Sequence, residues 1–230
     1  MSNTSPDYDV KASLETAQIL LDIKAVNFRP KNPYILTSGW ASPVYVDCRW
    51  IISFPEARNR IIKLAVEKLD REIGFNKIDV IAGGETAGIP YSSWIAESES
   101  KPMLYVRKKP KGFGRNSQIE GTFDYGKRIL LVEDLATDGG SKLNFVNALR
   151  KSGGKVSDIF VVFFYGVFPG TENIMKELNV NLHYLANWEN VLEVAENNDL
   201  YDRETTDEVR EFLSDPISWS GSHGGRGIEP

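Results

Sequence analysis

Two adjacent carboxylates, Glu133 and Asp134, stand between a short apolar run and a turn rich in glycine and hydroxyl groups. The apolar run, 129–132, is too short for a helix and rich in branched side chains, so it predicts a strand buried on both faces. The turn 137–141 reads Thr-Asp-Gly-Gly-Ser, and apolar residues follow it at helical spacing. A strand, a polar turn and a helix in this order present unpaired backbone N–H groups at the positive end of a helix, which suits a phosphate.

The carboxylate pair indicates that the ligand is more than a bare phosphate, because like charges beside the turn would repel it. A ribose 5-phosphate satisfies both halves of the pattern, with its hydroxyl groups at the carboxylates and its phosphate in the turn. Gly139 and Gly140 allow the backbone to approach the phosphate closely, while Thr137 and Ser141 add hydroxyl donors. An ordinary turn before a capped helix is the structural alternative for the same residues.

Two further segments favour a polyphosphate ligand. The glycine-rich turn 83–90 follows predicted strand 78–82 and precedes a helix, which repeats the order described above but is a weak signal alone. The segment 107–115 contains five basic residues in nine, with glycines and a proline, and predicts a mobile loop. Because the whole chain is acidic, with a net charge of −5, we interpret this segment as a cationic loop that closes on a polyphosphate. A solvated basic face is the alternative.

Composition excludes several classes of protein. With 230 residues, 41% of them hydrophobic, the chain suits one domain, and no apolar run reaches membrane-spanning length. The single cysteine, Cys48, excludes an internal disulfide framework and is typical of a reducing cytosol. The first residues lack the features of a signal peptide. Negative charge and the scarcity of histidine and cysteine argue against nucleic-acid binding and structural zinc. We therefore expect a cytoplasmic protein with no nucleic-acid or membrane partner.

Apolar periodicity predicts helices and strands that alternate along the chain. Predicted helices cover about 10–26, 55–72, 90–97, 143–150, 170–178, 187–195 and 204–213, and predicted strands cover 34–36, 44–47, 78–82, 102–106, 129–132, 156–165 and 182–185. This order predicts an α/β fold, with a central and mostly parallel sheet flanked by helices on both faces and sites at the carboxyl ends of its strands. The glycine- and serine-rich composition near the C-terminus predicts a flexible tail over about 215–230.

Together the motifs resemble those of the orotate phosphoribosyltransferases, a family of type I phosphoribosyltransferases that use phosphoribosyl pyrophosphate (PRPP). The resemblance extends over about residues 10–215. Its landmarks are the segments 37–39, 42–47, 83–90, 105–112, 118–121 and 133–141. It implies a type I phosphoribosyltransferase fold in a single domain, 1–230, with a small N-terminal hood element within about 10–50. It also implies transfer of the 5-phosphoribosyl group of PRPP to orotate, giving orotidine 5′-monophosphate and pyrophosphate in pyrimidine biosynthesis.

The resemblance further implies which residues bind PRPP. They are Arg107, Lys108, Lys111, Glu133, Asp134, Ala136, Thr137, Asp138, Gly139, Gly140 and Ser141. Of these, Lys108 and Lys111 would neutralise charge on the departing pyrophosphate and Asp134 would hold ribose hydroxyl groups, so these three would act in catalysis. Mg²⁺ would arrive on the phosphates of PRPP, with no metal ligand expected from protein side chains.

For orotate, the resemblance implies a pocket formed by Ser38, Tyr45 and Thr137, with the ring of Tyr45 stacked on the base. Tyr45 in a strand could instead be a core residue, and Ser38 could serve only to shape its turn. The family's loop implies a homodimer in which segment 107–115 reaches the active site of the partner subunit.

Three positions depart from the family pattern. Phe113 stands where many members have a histidine, while Thr37 and Ala87 stand where some members have lysine. The substitution at Phe113 removes any proton transfer from that position. Two alternatives remain: a purine or uracil phosphoribosyltransferase, and a regulatory protein that senses PRPP. Regulators of that kind generally carry an added DNA-binding domain and a basic face, and the predicted elements include neither.

Overall fold

The computed structural model of the chain describes residues 6–36, 38–110, 118–137, 140–168 and 171–227. The described helices are α1 (Pro6–Asp22), α2 (Pro55–Glu72), α3 (Gly88–Ser98), α4 (Gly140–Lys151), α5 (Thr171–Leu178), α6 (Trp188–Asn197), α7 (Arg203–Ser214) and α8 (Pro216–Ser222). The described strands are β1 (Val26–Phe28), β2 (Tyr34–Ile35), β3 (Ala41–Ser42), β4 (Val44–Val46), β5 (Val80–Gly84), β6 (Met103–Val106), β7 (Ile119–Glu120), β8 (Arg128–Ala136), β9 (Lys155–Phe164) and β10 (Asn181–Asn187). Short 3₁₀ helices cover Cys48–Ser53 and Phe75–Lys77.

The central sheet has six strands in the order β10-β9-β8-β5-β6-β7. Its strands from β10 to β6 run parallel, and β7 at the edge is antiparallel to β6. The predicted α/β fold with a mostly parallel sheet is therefore confirmed. A parallel sheet needs helices on both faces, which is why its strands consist of nearly continuous apolar residues.

Apolar side chains of β8 fill a core on each face of this sheet. Leu130 and Val132 belong to the core under α2, α3 and α6, whereas Ile129 and Leu131 belong to the core under α4 and α5. The division follows from strand geometry, since successive side chains point to opposite faces. None of the helices that the structure describes combines the length and the apolar character needed to cross a bilayer.

The N-terminal hood consists of two small antiparallel sheets, β1 with β4 and β2 with β3. The helix before it differs from the predicted 10–26, because α1 ends at Asp22 and Val26 already belongs to β1. Lys24 has a positive φ of 59°, and a residue in this left-handed region ends a helix. The chain can then turn back as the first hood strand.

Strand β8 is longer than predicted. Hydropathy predicts a strand that stops at Val132, but the structure continues it to Ala136 through pairs such as Glu133 with Val161 and Leu135 with Phe163 of β9. Both carboxylates therefore lie within the strand and not after it. Backbone pairing with β9 decides this end of the strand, and the pairing does not depend on how polar the side chains are.

The C-terminal region also differs from the flexible tail predicted over 215–230. The structure forms α8 over Pro216–Ser222, with Asp215 as N-cap, and packs the residues after it against the β2–β3 hairpin. Residues 228–230 lie outside the described part. Buried Trp219 explains the difference, because its ring packs on Phe212 of α7. An anchoring aromatic residue outweighs the local preference of glycine and serine for flexible chain.

Candidate active site

A cavity of about 750 Å³ opens at the carboxyl ends of β5 and β8. Its walls come from β4 and the 3₁₀ helix after it, the turn after β5, the end of β8 and the start of α4. Lys108, which lies shortly after β6, completes the lining. Strand ends that are far apart in sequence meet here because parallel strands finish at the same edge of the sheet. The carboxylate pair, Lys108 and Tyr45 all line this cavity, so the structure brings together four of the predicted site residues.

Within the carboxylate pair, Glu133 is buried and Asp134 is half-buried. Burial raises the pKa of Glu133 to about 8, opposed by the positive charge of Lys142 and reinforced by the charge of Asp134. Burial also raises the pKa of Asp134, and Lys142 opposes this shift as well. Carboxylates shielded from water gain most from hydrogen-bond donors supplied by a ligand. The pair is therefore suited to ribose hydroxyl groups.

Lys142 is the cation that accompanies the pair. Its side chain lines the cavity although the residue is only 6% exposed, and its Nζ donates a hydrogen bond to the carbonyl oxygen of Leu135. The sequence pattern does not indicate Lys142, since a lysine in the first turn of a helix is usually a surface residue. The available signal is its position directly after the turn 137–141, which is predicted to bind phosphate.

Glycine in the turn after β5 makes room for the pair. A Cβ atom on Gly84 would overlap the Oε1 atom of Glu133 and would approach the ring of Phe145 to 2.7 Å. A Cβ atom on Gly88, the first residue of α3, would overlap the carbonyl oxygen of Val132. The glycine-rich turn thus has a packing role against β8 that is independent of any phosphate.

Lys108 is held at the cavity wall through its backbone. Its N–H donates to the Oε2 atom of Glu85 at 2.8 Å, and its carbonyl oxygen accepts from the Nδ2 atom of Asn144 at 2.9 Å. The two bonds connect the start of the basic segment to the turn after β5 and to α4. The sequence does not indicate Glu85 or Asn144 individually, because their partners are distant along the chain.

The structure describes only part of the basic segment 107–115 and of the turn 137–141. The guanidinium of Arg107 lies beside Glu120 of β7, with Nη1 3.6 Å from Oε1, and Arg107 is not among the residues lining the cavity. Lys111 and Phe113 lie outside the described residues, as do Asp138 and Gly139. Helix α4 starts at Gly140, which agrees with the helix predicted after the turn.

Three other predicted site residues do not line the cavity. Ser38 is exposed in the turn between β2 and β3. Buried Ala136 ends β8, and its carbonyl oxygen accepts a hydrogen bond from the backbone N–H of Tyr165 at 2.8 Å. Thr137 follows directly and is half-buried. The cavity is lined by none of these three residues.

Tyr45 is the aromatic residue of the cavity wall. Its ring packs on Tyr34, with the ring centroids 5.1 Å apart. Beside it, Arg49 makes a two-point ion pair with Asp47, at 2.6 Å and 2.7 Å. Hydrogen bonding to Asp47 holds the pKa of Arg49 above its usual range. Asp47 belongs to a recognised motif, but the sequence did not indicate that Arg49 would share the cavity.

Known proteins resemble the chain over nearly its whole length. An orotate phosphoribosyltransferase of Rhizobium meliloti (strain 1021) is 49% identical over 224 residues, covering 97% of this chain and 96% of that protein. An orotate phosphoribosyltransferase of Dinoroseobacter shibae is 49% identical over 221 residues, covering 96% of this chain and 97% of that protein. No protein-family model matches the chain.

Solved structures show the same relationship. The orotate phosphoribosyltransferase of Aeropyrum pernix is similar with a TM-score of 0.67 and 26% identity, covering 80% of this chain and 99% of that one. The UMP synthase of Leishmania donovani gives a TM-score of 0.74 at 25% identity, and the match covers 87% of this chain but 42% of that longer protein. The fold is thus that of the type I phosphoribosyltransferases. With this architecture, a carboxylate pair in the central cavity and relatives of nearly half-identical sequence, the chain belongs to the orotate phosphoribosyltransferase family.

Proposed function

We propose that the protein transfers the 5-phosphoribosyl group of PRPP to orotate, yielding orotidine 5′-monophosphate and pyrophosphate in pyrimidine biosynthesis. The observation that carries the proposal is the carboxylate pair, buried Glu133 and half-buried Asp134, which shares one cavity with Lys108 and Tyr45. The names of the relatives support the choice of orotate as the base.

PRPP would occupy the cavity with its ribose at the carboxylate pair. Its 2′- and 3′-hydroxyl groups would donate to the carboxylates, and its 5-phosphate would accept from the turn 137–141 at the start of α4. Lys108, together with Arg107 and Lys111, would bind the pyrophosphate. Arg107 would leave its position beside Glu120 to do so, a small change for a long side chain in a loose ion pair.

Orotate would bind against the ring of Tyr45, with Ser38 and Thr137 as further proposed contacts. Stacking on an aromatic ring suits a planar base, and Tyr34 supports the ring of Tyr45 from behind. Ser38 would approach the base through its place in the β2–β3 hairpin.

The carboxylates that line the cavity fit a Mg²⁺ ion that is carried by PRPP. No cluster of three or more histidine, cysteine or carboxylate ligands occurs among the described residues, whereas the cavity offers carboxylates from Glu85, Glu133 and Asp134. Mg²⁺ commonly keeps several waters and binds through one or two carboxylates together with substrate phosphates. We therefore propose that it enters on PRPP, where it supplies positive charge to the phosphates.

The reaction needs no protein nucleophile. N1 of orotate releases its proton to water and forms a bond to the anomeric carbon, while the bond from that carbon to the pyrophosphate oxygen breaks and its electron pair leaves with pyrophosphate. Glu133 and Asp134 hold the ribose in position, and Lys108 and Lys111 stabilise the negative charge on the leaving group. Positioning and charge stabilisation are thus the contributions of the protein.

We further propose a cytoplasmic homodimer in which segment 107–115 closes over the partner's active site. Lys108, the second residue of this segment, has a fixed backbone, because Glu85 and Asn144 bond to it. A fixed start followed by a cationic segment is consistent with closure on a polyphosphate.

A panel of bases tests the function. Purified protein with orotate, PRPP and Mg²⁺ should consume orotate, seen as a fall in its absorbance, and omission of any component should stop the reaction. Turnover of hypoxanthine, adenine or uracil with orotate inert would replace the proposal with another base specificity. Saturable PRPP binding without turnover of any base would favour a PRPP sensor.

A further inference from the structure

The segment after α8 is attached to the hood. The hydroxyl of Ser220, a fully buried residue, accepts a hydrogen bond from the backbone N–H of Ala41 at 2.8 Å and donates one to the carbonyl oxygen of Arg226 at 2.6 Å. The backbone N–H of Arg226 donates to the carbonyl oxygen of Gly39 at 2.8 Å. We call residues 220–227 the C-terminal brace.

The brace packs closely on the hairpin formed by β2 and β3. A Cβ atom on Gly225 would overlap the backbone nitrogen of Ala41, so only glycine fits this approach. The guanidinium of Arg226 lies 5.4 Å from the ring centroid of Trp40, and Trp40 stacks on Phe168 with centroids 5.1 Å apart. Trp40, directly before β3, is therefore held between Arg226 of the brace and Phe168 of the aromatic core.

The hairpin leads to the cavity wall. Ser42 pairs with Tyr34 in the β2–β3 sheet, and its hydroxyl lies 2.7 Å from the hydroxyl of Tyr165, which is buried after β9. Tyr34 in turn supports the ring of Tyr45 in the cavity. A continuous set of contacts thus connects the brace to the surface against which a base would stack.

We propose that the C-terminal brace positions the β2–β3 hairpin for binding of orotate, so that Ser220, Gly225 and Arg226, which contact the hairpin, are positioning residues for the base and not for PRPP. The proposal rests on the proposed function. A hairpin with two-residue strands has little stability of its own. Hydrogen bonds from the brace order it before the base arrives, which lowers the entropic cost of binding.

The matched pair Ser220→Ala and Ser222→Ala tests this role. Ser220 bonds to the hairpin, whereas Ser222 lies in the same helix and its hydroxyl bonds to Trp219 in that helix. Loss of a buried hydrogen bond should raise the KM for orotate about fivefold or more in Ser220→Ala, with the KM for PRPP changed less than about twofold. Ser222→Ala should keep both KM values. Equal increases in both KM values, or a lower Tm with neither KM changed, would overturn the proposal.

A second pair of variants gives a readout that does not depend on turnover. One chain ends after Trp219 and lacks the whole brace, including Ser220, and the control ends after Gly227 and keeps all of it. Hydrogen exchange at the amide of Ala41 should become faster in the shorter chain only. Unchanged exchange there would overturn the brace. If the wild-type protein left orotate unchanged in the presence of PRPP, the proposed function would be overturned, and with it the role of the brace in orotate binding. The exchange rates would still report whether the brace orders the hairpin.

Discussion

At the scale of single residues, burial changes the chemistry of the carboxylate pair. Glu133 is 5% exposed and its pKa rises to about 8. A carboxyl group whose pKa is raised on folding destabilises the native state only at pH values at which it ionises. This loss of stability is absent below the unfolded-state pKa of 4.5, grows as the pH rises, and is complete above about pH 8.

Glu133→Gln should therefore stabilise the ligand-free protein more at high pH than at low pH. The gain in Tm of the variant over wild type, measured by calorimetry, should be larger at pH 9 than at pH 5 by at least a few degrees. For a protein of this length, 1 kcal/mol of stability corresponds to about 2–4 °C in Tm. Glu97→Gln, which changes an exposed carboxylate on α3, is the control. A difference that is the same at both pH values would contradict the burial argument.

Asp134→Asn tests the proposed contact with ribose. A charge-assisted hydrogen bond is worth roughly 1.5–3 kcal/mol, so kcat/KM for PRPP should fall about 10- to 150-fold while Tm changes little. Steady-state kinetics and thermal unfolding of the same preparation separate the two effects. A variant that loses stability but retains kcat/KM would indicate a structural role for Asp134.

Lys142→Met tests the buried cation. Without its charge the pKa of both carboxyl groups should rise, so the acidic limb of kcat/KM for PRPP should move up by about one pH unit or more. Lys142→Arg should restore most of the original profile. Lys151→Met, at the exposed end of the same helix, should not move the profile. If all three variants gave the wild-type profile, Lys142 would have no influence on the pair.

At the scale of elements, His183 connects α2 to the edge of the sheet. Its ring nitrogens lie 2.5 Å from Glu72 of α2 and 2.9 Å from Asp158 of β9. Burial disfavours the charged ring, but hydrogen bonds to Asp158 and Glu72 outweigh it and raise the pKa of His183 to about 9. The same bonds, with one from Lys68 to Glu72, lower the pKa of each carboxyl to about 2.

The stability due to His183 should disappear at high pH. A raised pKa means that this contribution is complete below the unfolded value of 6.5 and is lost as the pH rises through about 9. His183→Gln should lower Tm by several degrees at pH 6 and by much less at pH 10. His223→Gln changes the other histidine, which stacks on Trp219, and is the control. A loss of Tm that does not depend on pH would show that packing, and not charge, is the contribution of His183.

At the scale of the whole molecule, the proposed exchange of loops between subunits can be tested by mixing two inactive variants. Lys111→Ala impairs the loop and Asp134→Asn impairs the ribose site. Random refolding of equal amounts makes about half of the dimers mixed, and each mixed dimer has one intact site of two. Activity should recover to about a quarter of wild type. If each loop closes on its own subunit, no mixed dimer contains an intact site and mixing restores nothing.

The alternation of helices and strands and the location of the site could be predicted from sequence, because both depend on local properties. A buried parallel strand is recognisable as a continuous apolar run, and its carboxyl end is marked by the glycine turn that follows. The start of α2 at Pro55 was predicted for the same reason, since proline favours the first turn of a helix. Strand ends were less predictable, as β8 shows, because pairing with β9 decides where it stops.

The sequence by itself determined the α/β class, the order of elements and the carboxylate motif at a strand end. The tertiary structure decided which distant residues meet: Lys108 with Glu85, 23 positions apart, and Ser220 with Ala41, 179 apart. It also decided that Glu133 is buried beside Lys142, which sets the pKa of the pair. The physical reason is the same in each case. Propensity and periodicity act between near neighbours in the chain, whereas burial, hydrogen-bond partners and electrostatic environment depend on how elements pack in space.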